Sequence, residues 1–143
     1  MSLFRALDIS ASGLHAGRVR MDTIAQNIAN AESVTDGGTP YRRQEVVLMS
    51  EGWRNALPFG PAGVRNEGGG VRVLGIRADP SPPQRVYRPE DPAADAQGYV
   101  TLSNVNLPLE MVDLVSAARA YEANAAALRV GRETVRRTLD ILR

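Results

Sequence analysis

The sequence predicts a mainly α protein in which a long helix at each end of the chain flanks a small β-rich insert. Three observations lead there. Apolar residues recur at helical spacing at both ends, the middle collects most of the glycine and proline, and no catalytic or metal-ligating constellation stands out.

The first helix is expected within residues 1–33. Its seam reads Leu3, Leu7, Ser10, Leu14, Gly17, Met21, Ile24, Ile28 and Ala31, with steps alternating between four and three. That spacing belongs to a helix lying along a partner helix. Ser2 is placed to cap the start. Asn30 to Ser33, followed by Gly37-Gly38-Thr39-Pro40, supply the stop.

The last helix is expected within residues 106–143. Met111, Leu114, Ala118, Tyr121, Ala125, Leu128, Arg132, Val135, Leu139 and Leu142 follow the same alternation, with Arg132 as its charged member. Asn106 is placed to cap the start, and Glu110 and Asp113 sit where the helix dipole favours negative charge. At a rise of about 1.5 Å per residue, both helices would be about 40–55 Å long, well matched for packing side by side. An antiparallel pair would cover both seams.

Residues 34–105 form the expected insert. Strand-like pieces run from Tyr41 to Met49, Val71 to Ile76, Arg85 to Tyr87 and Tyr99 to Leu102. Gly68-Gly69-Gly70 and Pro80-Ser81-Pro82-Pro83 punctuate them. Acids and arginines balance across the insert, so it is no charged tail.

The N-terminal helix also carries Ala6, Ser10, Gly13 and Gly17 along one stripe. A glycine inside a helix costs about 1 kcal/mol relative to alanine, so Gly13 and Gly17 call for a compensating close approach of a neighbour. The C-terminal helix answers with alanine from Ala117 to Ala127 on several faces. Alanine is also the best helix former, but small residues all round suit neighbours on several sides. A lone helix pair with a thin insert buries little surface, so the terminal helices are expected to order on assembly.

Composition sets bounds on function. The chain has 143 residues and a net charge of +1, which gives no electrostatic footprint for nucleic acid. All its basic side chains are arginine, which codon bias explains more simply than interface chemistry. There is no cysteine, which removes disulfides and zinc–thiolate sites. The first residues, Met1 to Asp8, lack a basic start and apolar stretch, so no ordinary cleaved secretory signal is expected. No run reaches the length of a membrane span, so no direct membrane insertion is expected.

The residue types that could carry chemistry are His15, Ser10, Ser12, Glu90-Asp91, Gly68-Gly69-Gly70 and Arg42-Arg43. His15 is a single histidine flanked by Asp8 and Asp22, too little for a metal site. The serines lack a nucleophile-elbow pattern, the carboxylates sit in a proline-flanked loop, and the glycines lack phosphate-binding spacing. Arg42-Arg43 is too short for nucleic-acid recognition and reads as an interface or export feature. No enzyme activity and no cofactor are expected.

Ala6-Leu7-Asp8-Ile9-Ser10-Ala11-Ser12-Gly13-Leu14, Arg18 to Asp22 and Ile24-Ala25-Gln26-Asn27-Ile28-Ala29-Asn30-Ala31 resemble the N-terminal signature of flagellar rod and hook proteins. Gly38 to Arg43 and Asp91 to Val100 continue the likeness, in the manner of the proximal-rod members. Asn104-Val105-Asn106, Glu110 to Asp113 and Ala118 to Asn124 resemble the family's C-terminal signature. These marks cover about half the chain. Arg88-Pro89-Glu90-Asp91-Pro92 and Ser103, the latter where the family usually has proline, are departures.

The resemblance implies a structural subunit of the proximal rod, the drive shaft of the flagellar basal body, needed for flagellum assembly and motility. It implies terminal helices paired as an antiparallel coiled coil in the inner layer of a helical tube, with the insert outside. Partners would be copies of the chain, other rod proteins, the export-gate and MS-ring adaptor at the rod base, and the flagellar type III export apparatus. Location would be the periplasmic rod. The expected seam sets Leu7, Leu14, Met21, Ile24 and Ile28 against Met111, Leu114, Tyr121, Leu128, Val135 and Leu139. Ser10, Gly13 and Gly17 would pack closely. Asn27, Asn30 and Asn124 are candidates for fixing register, or equally amides at helix ends and in solvent. Competing readings are another rod or hook subunit, a cytosolic coiled-coil adaptor forming a closed oligomer, and a small wall hydrolase.

Overall fold

The computed structural model describes residues 3–33, 40–51 and 69–141. The proposed cap Ser2, the Gly37–Thr39 part of the stop signal, Gly68 and Leu142 lie outside the described residues, as does the side chain of Leu3. The architecture is mainly helical, with two long helices and two small antiparallel sheets.

Helix α1 spans Leu3–Ala29 and helix α2 spans Leu107–Ile141. Asn106 caps α2: its Oδ1 accepts the Leu109 N–H at 3.2 Å and its carbonyl accepts the Glu110 N–H at 3.0 Å. Pro108 falls in the first turn, where a missing N–H costs no helical bond. At the far end of α1, the Asn30 and Ala31 amides still bond back to Gln26 and Ile28 before the chain leaves the helix.

The helices lie side by side and run antiparallel. Leu7 packs at Gly131, Gly13 lies under Asn124, Gly17 lies under Tyr121, and Asn27 reaches Glu110. Advancing along α1 thus means retreating along α2 in equal measure. Ile24, Ala16 and Ala117 form the buried apolar part of this contact. It is a thin core, so close backbone approach carries much of the packing.

Strands β1 (Gln44–Ser50) and β2 (Val71–Ala78) form the first antiparallel pair, rich in β-branched residues that suit a pleated surface. Val47 pairs with Gly75 and Leu48 with Val73, so Leu74 is the extra residue of a bulge. The pair packs on α1. There Ser12 Oγ accepts the Val71 N–H at 3.0 Å, close against Gly70.

Strands β3 (Gln84–Tyr87) and β4 (Tyr99–Leu102) form the second pair. Val100 on β4 is almost wholly buried. Between them, Asp91 and Asp95 accept backbone N–H groups two residues on, from Ala93 and Gln97, which folds the loop. Gly98 adopts a positive φ of 80°, and a Cβ there would stand 2.9 Å from the Tyr87 ring. Ser103, one of the two departures, is buried and its hydroxyl accepts the Val105 N–H at 3.2 Å. A side-chain bond thus fixes the turn that a proline would fix through its ring.

Candidate functional site

The strongest chemical feature is a polar knot where the C-terminal end of α1, the start of β1 and the first turn of α2 meet. Asn27 projects from the last turn of α1 and has no solvent exposure. Its Oδ1 accepts the Gln44 N–H at 2.9 Å, and its Nδ2–H donates to the Gln44 carbonyl at 2.9 Å. The amide therefore docks on Gln44 as a neighbouring strand's peptide would. The same amide accepts the Tyr41 hydroxyl at 3.0 Å and donates to Glu110 Oε2 at 3.0 Å. Both hydrogens and both acceptor positions are used, which is what burial of an amide requires.

Glu110 is likewise wholly buried. Its other oxygen accepts the Arg43 Nε–H at 2.6 Å, and its place in the first turn of α2 adds the favourable helix dipole. Arg43 is the hub. It also donates to Glu45 at 2.9 Å and faces Asp79 at 3.7 Å and Asp113 at 3.8 Å. Its backbone joins too: the N–H donates to Asn104 Oδ1 at 2.7 Å, and the carbonyl accepts the Asp79 N–H at 2.7 Å. One residue thus ties α2, β1, the end of β2 and the approach to α2.

The electrostatics follow from this geometry. Burial pushes the Arg43 pKa down, but hydrogen bonding to Glu110 and its charge, with Glu45 added, leave it above the ordinary value. Burial, then the Glu110 charge, raises the Tyr41 phenol above its usual range. Arg77, then Arg43, hold the Glu45 carboxyl below the usual carboxylate range. Every buried polar side-chain atom among the described residues has a partner. Such an arrangement fixes position rather than performing chemistry. Among the described residues, no group of three His, Cys, Asp or Glu side chains is placed to hold a metal ion. No described helix is long and apolar enough to cross a membrane.

The residues singled out in the sequence distribute unevenly. Ile24 is buried, and Leu7, Leu14, Met21, Ile28, Leu114, Tyr121, Leu128 and Val135 are half-buried. Met111 is 51% exposed, because Glu110 takes the inward position at that turn. Leu139 is 61% exposed: in the register that sets Leu7 at Gly131, it lies beyond the start of α1. A Cβ at Gly13 would stand 3.0 Å from Asn124 Nδ2, and one at Gly17 would stand 3.5 Å from the Tyr121 ring. The close approach at these glycines comes from α2 of the same chain. Ser10 bonds back to the Ala6 carbonyl within α1. Of the three asparagines, Asn27 bridges elements; Asn30 bonds to Gln26 and Ser33, and Asn124 bonds to Ala120.

Arg43, Tyr41 and the inward role of Glu110 were missed. Arg43, read from sequence with Arg42 as an interface or export feature, is spent inside the chain, while Arg42 is exposed. One signal was available. Glu110 shares a helical stripe with Leu114, Ala117 and Tyr121, so it points inward and needs a cation.

Comparisons with known proteins agree on one family. Residues 7–37 match the family model described as flagella basal body rod protein, and residues 96–141 match the model described as flagellar basal body rod FlgEFG protein C-terminal. The chain is 43% identical to the flagellar basal-body rod protein FlgC of Bacillus subtilis, over 99% of both chains. It is 42% identical to the FlgC protein of Borreliella burgdorferi, again over 99% of both. With that of Salmonella typhimurium it shares 37% identity, over 99% of this chain and 98% of the relative.

Proposed function

This chain belongs to the FlgC family of flagellar basal-body rod proteins, and from that premise we propose that it is a structural subunit of the proximal rod, working by mechanical contact. Its terminal helices pair as an antiparallel coiled coil in the inner layer of a tube, with the β pairs outside. Head-to-tail, non-closing contacts build the helical assembly. Copies of the chain, other rod proteins and the adaptor at the rod base are its neighbours. It reaches the periplasmic rod through the flagellar type III export apparatus.

The observation that carries this reading is the matched pair of long helices locked at one end by the Asn27–Arg43–Glu110 knot. A drive-shaft subunit must pass torque between its helices and its outer part without shearing. The knot supports that role because it joins both helices to β1 through buried, saturated bonds, whose loss is costly. Register on this reading comes from Asn27, and close packing from Gly13.

Deletion with complementation tests the reading. Cells lacking the gene should lose motility and show no rod beyond the motor's membrane ring in electron micrographs, with both restored by the wild-type chain. Normal rods and motility in the deletion strain would overturn it.

A further inference from the structure

Helix α2 is apolar on two opposite sides. Its inward side carries Glu110, Leu114, Ala117 and Tyr121 against α1 and the knot. Directly opposite, Val112 (66% exposed), Val115 (53%) and Val130 (68%) face outward with no cover among the described residues. Val112 and Val115 share a shallow depression with Arg119. Isolated exposed valines need no explanation, but three on one stripe of one helix leave an apolar face without a partner.

The outward side of α1 has the opposite character. Ala11, Arg18, Asp22, Ala25 and Ala29 are all exposed there. It offers small side chains where α2 offers branched ones. The charges are also complementary. Arg18 and Asp22 stand one turn apart on α1; Arg119 and Glu122 stand one turn apart on α2. If the two faces run antiparallel, Asp22 meets Arg119 and Arg18 meets Glu122. That register sets the apolar positions too. Ala29 is as far from Asp22 as Val112 is from Arg119, and Ala11 as far from Asp22 as Val130 is from Arg119. Within the chain, none of these four charged side chains, among the described residues, has an ion-pair partner.

We propose that the outward face of α2 docks the outward face of α1 from a second copy of this chain, with Asp22–Arg119 and Arg18–Glu122 as the charge pairs that set the register. Two different faces of one molecule meet, so the contact is heterologous and leaves a free α1 face and a free α2 face at the ends of any string of copies. The inference rests on the rod reading and names the contact through which copies join. Small residues under valines let the backbones approach, and opposite charges at the rim select orientation.

The chain has no cysteine, so introduced ones are unique. Ala29→Cys and Val112→Cys, both exposed, face away from each other within one molecule and meet in the proposed register. The double variant, expressed as the sole copy, is treated in purified basal bodies with a short bis-maleimide and run on a denaturing gel. The proposal expects a ladder of dimers and higher multiples, and monomer from either single variant. Monomer alone from a double variant that is present in basal bodies overturns it, leaving the rod reading intact. Dimers from Val112→Cys alone also overturn it, pointing to α2 against α2. Absence of the wild-type chain from basal bodies defeats the rod reading instead.

Charge reversal gives an independent measure if the cysteine pair fails to assemble. Asp22→Arg and Arg119→Asp should each cause loss of motility, and the two together should restore it. No effect from either single change, or no restoration by the pair, overturns the proposal.

Discussion

The Glu110 carboxylate, wholly withdrawn from solvent, accepts the Arg43 Nε–H at 2.6 Å, joining the first turn of α2 to the residue preceding β1. A buried ion pair adds little net stability over a well-packed apolar pair, but removing one partner strands the other. Glu110→Ala or Arg43→Ala alone should therefore destabilise by about 3–5 kcal/mol, and the double variant by clearly less than their sum. Urea denaturation of the four chains, followed by helical circular dichroism, measures the coupling. Additive losses would mean that the pair is not a unit.

Asn27 and Asn124 test which asparagine fixes register. Asn27→Ala removes four bonds, one of them to the buried Glu110, and should cost on the order of 2–4 kcal/mol, with Glu110 and Gln44 each losing a partner. Asn124→Ala loses one bond within its own helix and gains a better helix former, so its change should stay within about 0.5 kcal/mol. Thermal melts of both variants compare them directly.

The two glycines of α1 should respond in opposite ways. At Gly17 an added Cβ would meet the Tyr121 ring at 3.5 Å, an ordinary contact, so Gly17→Ala should stabilise by about 0.5–1 kcal/mol through helix propensity. At Gly13 the Cβ would crowd the Asn124 amide at 3.0–3.1 Å on three atoms. Gly13→Ala should thus forfeit that gain or destabilise. Denaturation midpoints of the two variants decide it.

Acid should weaken the fold through Glu45. Its carboxyl lies below the usual range because of Arg77 and then Arg43. A depressed pKa contributes stability above the unfolded value, near 4.3, and loses it as the pH falls through the folded value. Tyr41 acts at the other end: its raised pKa contributes below about 10, and the contribution is lost as the pH rises through the folded value. Stability measured against pH should fall on both limbs. Glu45→Gln should flatten the acid limb and Tyr41→Phe the alkaline one.

Much of this architecture was legible because its signals are local. Seam periodicity places α1 and α2, β-branched runs place the strands, and Asn106 announces the cap it makes. The knot was not legible because its members are far apart in sequence and ordinary one by one. Arg43 looks like half of a surface pair, and Glu110 looks like a residue answering the helix dipole. Only the tertiary crossing makes each the other's partner. A glycine such as Gly13 does not say whose helix lies against it, and here it is Asn124 on α2 of the same chain. Met111 shows the limit of heptad reading. At the turn where a seam meets a polar junction, the inward position goes to the residue with a buried partner, Glu110.

The central claim is that this chain is a fixed part of the rod, and quantitative mass spectrometry of purified hook–basal bodies tests it most directly. The account predicts the chain in low, constant copy number relative to the other rod proteins. Its absence from basal bodies, with a soluble cytosolic pool in its place, would contradict the account.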